Sequence, residues 1–129
     1  MHRIETEHAP KAIGPYSQGV MTEEFVFVSG QLPIHPPANK IVDFTIEGQT
    51  RQVLDNVEAI LKAAGVDFTH VVRAEVFLKD MNDFQKMNAI YAERFSGPIK
   101  PARFAFQVAK LPMDAMVEIA CIAIKRKAK

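Results

Sequence analysis

Apolar and polar residues follow two different periods along this chain, and each period predicts one kind of element. The runs at 17–21 and 25–29 have the composition of β-strands, and the three residues between them suit a hairpin turn. Residues 35–40 contain two prolines and an asparagine, which predicts a loop. The beginning of the chain therefore predicts an antiparallel strand pair followed by a loop.

A long amphipathic helix is predicted next. Asp43 or Thr45 can cap its start, and Gly65 suits the left-handed residue that often follows a helix. Its apolar residues recur with a period of 3.6 at Ile46, Val53, Leu54, Val57, Ile60, Leu61 and Ala64. This stripe predicts a helix that covers an apolar surface.

A second helix is predicted after residue 82. Asn82 and Gln85 have the spacing of a capping box, and the segment 96–98, Ser-Gly-Pro, stops the helix. One face of this helix carries Phe84, Met87, Tyr91 and Phe95. Asn88 lies among these buried positions, where we expect a structural amide held by hydrogen bonds.

Three further strands are predicted at 71–79, 101–109 and 116–124. The element order is then β-β-α-β-α-β-β, which predicts an α+β fold with both helices on one face of a mixed sheet. The length suits a single domain, residues 1–129, with one core. If the other face of the sheet is apolar, self-association is the usual way to cover it.

Two isolated charges lie inside the last two predicted strands. Burying Arg103 or Glu118 costs free energy unless the charge is paired or bound, so the two residues mark a candidate site. We expect a hairpin with Phe104 and Phe106 toward the helices and with Gln107 opposite Glu118. Arg103 and Glu118 then share the other face at roughly 13 Å, too far for an ion pair. Each charge needs a partner from another strand, another subunit or a ligand, unless both lie at a solvated edge.

Composition excludes several classes of function. A net charge of +1 gives no field that would gather nucleic acid or an anionic membrane, and the basic block at 125–129 suits a solvated terminus. The four histidines show no metal-ligand spacing. The single cysteine, Cys121, lies in an apolar strand and suits a small core residue in a reducing compartment. Without an apolar segment near the N-terminus, we expect a cytoplasmic protein.

Six short motifs occur in an order typical of one protein family. They are GPYSQG at 14–19, SGQLP at 29–33, QVLDNV at 52–57, FLKDMNDF at 77–84, PAR at 101–103 and VAKLP at 108–112. Over nearly its whole length the chain resembles the RidA/YjgF family, the reactive intermediate deaminases. The resemblance implies a chorismate-mutase-like fold assembled as a homotrimer, with the sheets forming a central barrel, the helices outside and clefts between subunits.

The resemblance also implies an activity. Family members hydrolyse 2-imino acids or their enamine tautomers, such as 2-aminoacrylate and 2-iminobutanoate, to 2-keto acids and ammonia. No metal or organic cofactor is implied, and the partners are a small 2-imino or 2-keto acid and further copies of the chain. By position, Arg103 matches the carboxylate-binding arginine, Glu118 the acid near the catalytic water, and Tyr16 a tyrosine at the cleft. Ser29 and Gly30 match the loop that borders the ligand.

These residue types suit the chemistry. Arginine binds a carboxylate bidentately, a carboxylate in an apolar cleft can act as a base, and tyrosine donates a hydrogen bond. One departure concerns Phe104 and Ala105, where the family usually has a small polar residue and a cysteine. If the family contact is through backbone, Ala105 retains it.

Two alternatives to the deaminase remain at this point. The first is a non-catalytic module of the same fold that binds or senses a small carboxylate, and the missing cysteine motivates it. The second is a ribonuclease or chaperone-like protein, since some relatives carry those labels. The near-neutral charge argues against RNA as the substrate.

Overall fold

A six-stranded mixed sheet with two helices on one face forms the frame of the fold. The computed structural model describes residues 1–126, so the last three residues of the basic block at 125–129 lie outside the described residues. The strands are β1 His2–Ile4, β2 Gly19–Met21, β3 Phe25–Gln31, β4 Ile34–His35, β5 Lys40–Ile41, β6 Val71–Leu78, β7 Ala102–Gln107 and β8 Val117–Ile124. The helices are α1 Ile46–Ala63 and α2 Phe84–Arg94, with 3₁₀ turns at Phe68–His70, Met81–Asp83 and Pro112–Asp114. The predicted α+β class is confirmed.

The last strand in the chain lies in the middle of the sheet. The strand order is β1-β2-β3-β8-β6-β7, while β4 and β5 form a separate small hairpin inside the predicted loop. Neighbouring strands of the large sheet are antiparallel except β6 and β7, which are parallel. The predicted first hairpin, β2 with β3, is confirmed.

The predicted hairpin between the last two strands is wrong. β7 pairs with β6, and β8 lies between β3 and β6, so β7 and β8 are not neighbours. The reason is that α2 connects β6 to β7, and a strand-helix-strand connection places its two strands parallel. Gln107 is therefore paired with Leu78 rather than with Glu118, whose partner on β6 is Phe77.

The first helix begins and ends as its sequence predicts. The Thr45 side chain accepts a hydrogen bond from the Gly48 amide, Asp43 in turn accepts from Thr45, and Gly65 has a φ of 82°. The apolar stripe packs on the sheet at zero exposure at Val53, Leu54, Val57, Ile60 and Leu61. Burying side chains of this size stabilises the fold by about 1.5–3 kcal/mol each.

Two buried amides fasten α1 to the loops that lead to the candidate site. Asn56 donates to the carbonyls of Leu32 and Ile34, just after β3. Gln49 accepts from the amide of Met116, just before β8. Because buried amides are costly without partners, these bonds hold both loops in register with the helix.

The start of the second helix differs from the prediction. No capping box forms with Asn82 and Gln85. Instead, the carboxylate of Asp80 accepts from the Asn82 amide and caps the 3₁₀ turn that precedes α2. A carboxylate that follows β6 directly can reach this amide, and the extra turn displaces the helix start to Phe84.

The face of the sheet opposite the helices is rich in aromatic side chains. Phe25, Phe27 and Phe106 are 38%, 39% and 46% exposed there. Phe77 packs edge-on against Phe104 and Phe106 on the same face. We call this surface the open face; none of the helices in the described chain covers it. The described helices are also too short or too polar to cross a membrane.

Candidate active site

Arg103 lies on β7, the edge strand of the sheet, and its side chain is on the helix side. In the parallel register Arg103 is beside Ala74 and Ala105 is beside Val76, and both β6 residues are fully buried under the helices. Gln107, two residues further along, accepts a hydrogen bond from the Met81 amide just before α2. Alternation along the strand therefore places Arg103, Ala105 and Gln107 toward α2.

Neutral groups of α2 hold the Arg103 guanidinium. Its Nη1 donates to Oδ1 of Asn88 at 2.5 Å. The guanidinium carbon lies 4.7 Å from the ring centre of Tyr91 and 5.4 Å from that of Phe84, both within cation–π distance. Residues 1–126 provide no acidic partner for it within 4 Å, and the side chain is exposed. We call Arg103, Asn88, Phe84, Tyr91 and Ala105 the arginine cluster.

The arginine cluster has a simple origin in the sequence of α2. Phe84, Asn88 and Tyr91 are spaced i, i+4 and i+7, so they lie along one side of the helix. Asn88 is thus the hydrogen-bonded amide that its position predicts, and its partner is Arg103. The contacts of Tyr91 and Phe84 with the guanidinium were not predicted. The available signal was an amide within an otherwise apolar stripe.

Glu118 lies on β8 and points to the open face. Its strand alternates between buried and half-buried positions, with Val117 and Ile119 fully buried against the helices. Glu118 itself is half-buried and lies beside Phe77 of β6. The described part of the chain contains no hydrogen bond or ion pair to its carboxylate.

A bulge in β3 makes room for the Glu118 carboxylate. The pairing of β3 with β8 shifts by one residue between Val28 and Gln31, so the strand has an extra residue at Ser29–Gly30. A Cβ on Gly30 would collide with the carboxylate of Glu118. A side chain at this position would displace the carboxylate, because Glu118 lies directly over the Gly30 backbone.

Burial changes the acidity of Glu118. Removing the carboxylate from water disfavours its charged form, and this desolvation raises the pKa of Glu118 above its ordinary value. Among residues 1–126, desolvation is the cause of this shift. Glu118 is therefore better suited to accept and return a proton near neutral pH than an exposed glutamate is.

The loop that carries Tyr16 is fastened to the same bulge. Ser29 donates its hydroxyl hydrogen to the carbonyl of Ser17 at 2.6 Å, and the Ser29 amide donates to the carbonyl of Gln18. Tyr16 is exposed and, with Ser17, lines a cleft of about 620 Å³ next to the N-terminal segment. We call Glu118, Gly30, Ser29 and Tyr16 the glutamate cluster.

The two clusters do not meet within one chain. Arg103 points to the helix side of β7, whereas Glu118 points to the open face of β8, with β6 between the two strands. The expectation that they share a face is wrong, and so is the orientation of Phe104 and Phe106 toward the helices. Both faces of this sheet are apolar, so bulk alone did not decide which side of β7 faces α2.

The positions that depart from the family pattern lie on opposite sides of β7. Phe104 points to the open face, where it packs against Phe77 and lies 5.5 Å from the Arg73 guanidinium. Ala105 is half-buried on the arginine side and packs against the core. The bulk of Phe104 is therefore directed away from the arginine cluster.

Cys121 takes no part in either cluster. It is buried on the helix side of β8, and burial raises the pKa of its thiol to about 12. A thiol in this state carries almost no thiolate at neutral pH. Its predicted role as a small core residue is confirmed.

Comparisons with known proteins agree with this fold. A family model described as "Endoribonuclease L-PSP" matches residues 6–125. A RutC family protein of Pyrococcus horikoshii is 54% identical over 95% of this chain and 96% of its own length. A 2-iminobutanoate/2-iminopropanoate deaminase of Bos taurus is 46% identical over 95% of this chain and 88% of its own. The crystal structure of E. coli TdcF with bound serine matches 98% of this chain and 100% of its own, with a TM-score of 0.94 and 41% identity. The chain therefore belongs to the RidA/YjgF family.

Proposed function

We propose that this protein hydrolyses reactive 2-imino acids, such as 2-aminoacrylate in its imine form and 2-iminobutanoate, to 2-keto acids and ammonia. The state of Arg103 carries the proposal, because its guanidinium is exposed and meets no acidic side chain of the described residues. An arginine in this state binds a carboxylate through two parallel hydrogen bonds. A relative named as an imine deaminase and a relative that binds serine both fit a small ligand with a carboxylate.

Binding by Arg103 fixes the distance between the anchored carboxylate and the reacting carbon. In a 2-imino acid the electrophilic carbon is directly bonded to the carboxylate. An anchored substrate therefore presents that carbon at a constant position, and the attacking water needs only one acceptor to orient it. Glu118 is the group proposed for this role, since desolvation raises its pKa.

The proposed reaction balances with water as the only co-reactant. Water adds its oxygen to the carbon of the protonated imine and passes a proton to Glu118, which gives a carbinolamine. Glu118 returns that proton to the amine nitrogen. The C–N bond then breaks as the hydroxyl proton is lost, and ammonia takes up that proton and leaves beside the 2-keto acid.

The remaining residues have proposed binding roles. Tyr16 donates a hydrogen bond to the substrate carboxylate or to the water. Ser29 and Gly30 border the ligand at the bulge, next to Glu118. Ala105 contributes backbone groups, because β7 is an edge strand and the backbone along its outer side has no neighbouring strand in this chain.

This function requires a site shared between subunits of a homotrimer. Arg103 and Glu118 point to opposite faces of one sheet, so a ligand can contact both only if they come from different protomers. The exposed aromatic side chains of the open face also favour burial between copies of the chain. Analytical ultracentrifugation measures the oligomeric state, and a monomer at working concentration would contradict the shared site.

The decisive test measures 2-keto acid and ammonia release after adding the protein to a threonine dehydratase reaction. Parent protein should accelerate both, and Arg103→Ala should lower the acceleration at least about thirtyfold, because truncating a charged hydrogen-bonded anchor costs about 2–5 kcal/mol. Arg51→Ala, which removes an exposed arginine of α1, is the matched control and should behave as parent. Normal acceleration by Arg103→Ala would end the assignment.

A different result would favour the alternative function, a non-catalytic module that binds or senses a small carboxylate. Calorimetry that finds Arg103-dependent binding of a 2-keto acid, with no change in imine hydrolysis, would identify a carboxylate sensor of the same fold. The description of the family model names an endoribonuclease, so RNA cleavage should be assayed in parallel. The buried, single cysteine favours a reducing compartment such as the cytoplasm.

A further inference from the structure

Tyr91 of α2 is the residue on which the Arg103 guanidinium rests. The guanidinium carbon lies 4.7 Å from the centre of the Tyr91 ring. That ring is only 7% exposed and stacks on Phe95, with ring centres 4.3 Å apart and planes at 23°. Phe95 packs in turn edge-on against Phe68, and the rings of Tyr91 and Phe95 both belong to the apolar core.

The hydroxyl of Tyr91 does not account for the position of the ring. It is buried, and within residues 1–126 it has no hydrogen-bond partner. A buried hydroxyl without a partner lowers stability. Tyr91 therefore contacts the Arg103 guanidinium through the face of its ring.

We propose that Tyr91 is a positioning residue for Arg103. Its ring holds the guanidinium plane in one orientation, together with the Asn88 hydrogen bond and the Phe84 ring. Asn88 occupies one nitrogen, Nη1, and the remaining N–H donors stay available for a ligand carboxylate. This inference rests on the proposed function, since it assigns Arg103 the role of carboxylate anchor.

The physical reason is pre-organisation. A free arginine side chain samples many rotamers and loses that freedom when it binds a ligand. A guanidinium already stacked on a rigid ring loses less conformational entropy when the ligand binds. The ligand therefore binds more tightly without any added contact. The effect belongs to binding and should act alike on substrate and transition state, which changes KM more than kcat.

Three variants separate the ring face from general packing. Tyr91→Leu removes the π surface and keeps an apolar side chain in the core. Phe95→Leu removes a neighbouring ring of the same core that is not stacked against Arg103. Tyr91→Phe keeps the ring face and removes the unpartnered hydroxyl.

We expect Tyr91→Leu to raise KM for the imino acid, and Kd for 2-oxobutanoate by calorimetry, about five- to tenfold with kcat within about twofold of parent. Phe95→Leu should lose similar thermal stability but keep the parent KM and Kd. Tyr91→Phe should keep both constants and melt at a slightly higher temperature. Equal KM increases in Tyr91→Leu and Phe95→Leu would overturn the proposal. If Tyr91→Leu does not fold, Phe84→Leu tests the same stacking on the other ring.

A second readout does not depend on the reaction. In ligand-free protein labelled with ¹⁵N-arginine, NMR should find the Arg103 side-chain signals shifted by ring current and slow in rotation. Both features should be lost in Tyr91→Leu and kept in Phe95→Leu. A freely rotating Arg103 in the parent protein overturns the positioning role even if the deaminase activity is real. A held Arg103 in a protein that hydrolyses no imine supports it while the proposed function fails.

Discussion

The arginine cluster and the glutamate cluster carry opposite charges in opposite kinds of surroundings. Arg103 lies on an edge strand, is exposed, and is held by a neutral amide and two rings. Glu118 lies on a central strand, is half-buried, and lies between Phe77 of β6 and the bulged backbone at Gly30. Exposure leaves the arginine available to a ligand, whereas desolvation raises the pKa of the glutamate and makes it easier to protonate. The first environment suits an anchor and the second suits a proton acceptor.

The two clusters also differ in their position on the sheet. They lie on opposite faces of one sheet, separated by β6. A single chain can offer an anchor or a base to a given ligand, but not both. The proposed use of both clusters on one substrate therefore depends on a site formed by two protomers.

The largest effect should come from mixing two inactive variants. Arg103→Ala and Glu118→Gln should each lose almost all activity. In trimers assembled from equal amounts of both, a shared site is intact when one protomer supplies Arg103 and its neighbour supplies Glu118, which gives about one quarter of parent activity. Deaminase assays before and after co-refolding measure the recovery.

The controls for this mixture are each variant refolded alone and a measurement of which variants each assembly contains. Each variant refolded alone should stay inactive, and mass spectrometry should find mixed trimers in the co-refolded sample. No recovery in verified mixed trimers would place both residues in separate roles and contradict the shared site.

A smaller effect should follow from filling the bulge. Gly30→Ala places a Cβ where the Glu118 carboxylate lies, so the carboxylate must move, and we expect about a tenfold loss in kcat/KM with the fold intact. Gly97→Ala is the matched control, since a Cβ there meets only Thr69 at 3.5 Å. In a Glu118→Gln background, Gly30→Ala should cause no further loss; an additive loss would show that Gly30 acts independently of Glu118.

The pH dependence should distinguish the two clusters further. Glu118 must be ionised to accept a proton, so activity should rise with pH through its raised pKa, and the acid limb of the profile should lie above the ordinary glutamate value of 4.5. Residual activity of Glu118→Gln should lack the acid limb, and an unchanged limb would assign it to another group.

The same shift has a consequence for stability. Between the ordinary pKa and the raised one, the folded protein binds more protons at Glu118 than the unfolded chain does, so this residue lowers stability as pH rises through that window. Glu118→Gln should therefore melt at a slightly higher temperature than parent at neutral pH, with the difference shrinking below pH 4.5. Calorimetric melts across pH 3–8 measure it, at conditions where the oligomeric state is constant.

The smallest effect on activity should come from Cys121. Its pKa of about 12 and its burial make it inert, so Cys121→Ala should keep kcat/KM within about twofold while losing about 1 kcal/mol of stability. Iodoacetamide should label the folded parent far more slowly than the denatured chain. Rapid labelling with loss of activity would mean that the thiol is accessible to solvent and close to the active site.

Local patterns were sufficient for most of the fold. The cap at Thr45, the stripe along α1 and the left-handed Gly65 depend on neighbours within a few residues, and all three predictions are confirmed. The existence of β7 and β8 was predicted in the same way. Their pairing was not, because two consecutive strands were expected to form a hairpin, whereas the α2 connection places β7 beside β6.

The candidate site also has features that the sequence predicts and features that depend on the tertiary structure. Two isolated charges in apolar strands made Arg103 and Glu118 the candidate residues, because the cost of burying a charge is a property of the residue and its local sequence. The shared face, the orientation of Phe104 and the absence of contact between the clusters depended on strand order. The register of β7 with β6 places Arg103 and Ala105 on the helix side, and the bulk of Phe104 did not predict this because both faces of the sheet are apolar.

Short-range periodicity and residue chemistry were enough to predict the helices and strands, the family resemblance and the two isolated charges. The tertiary structure alone decided that Arg103 is held by α2 and that Glu118 lies over Gly30 on the other face. Contacts of this kind join residues far apart in the chain. They depend on which strands pair and in what register, and that is set by packing of the whole sheet against its helices.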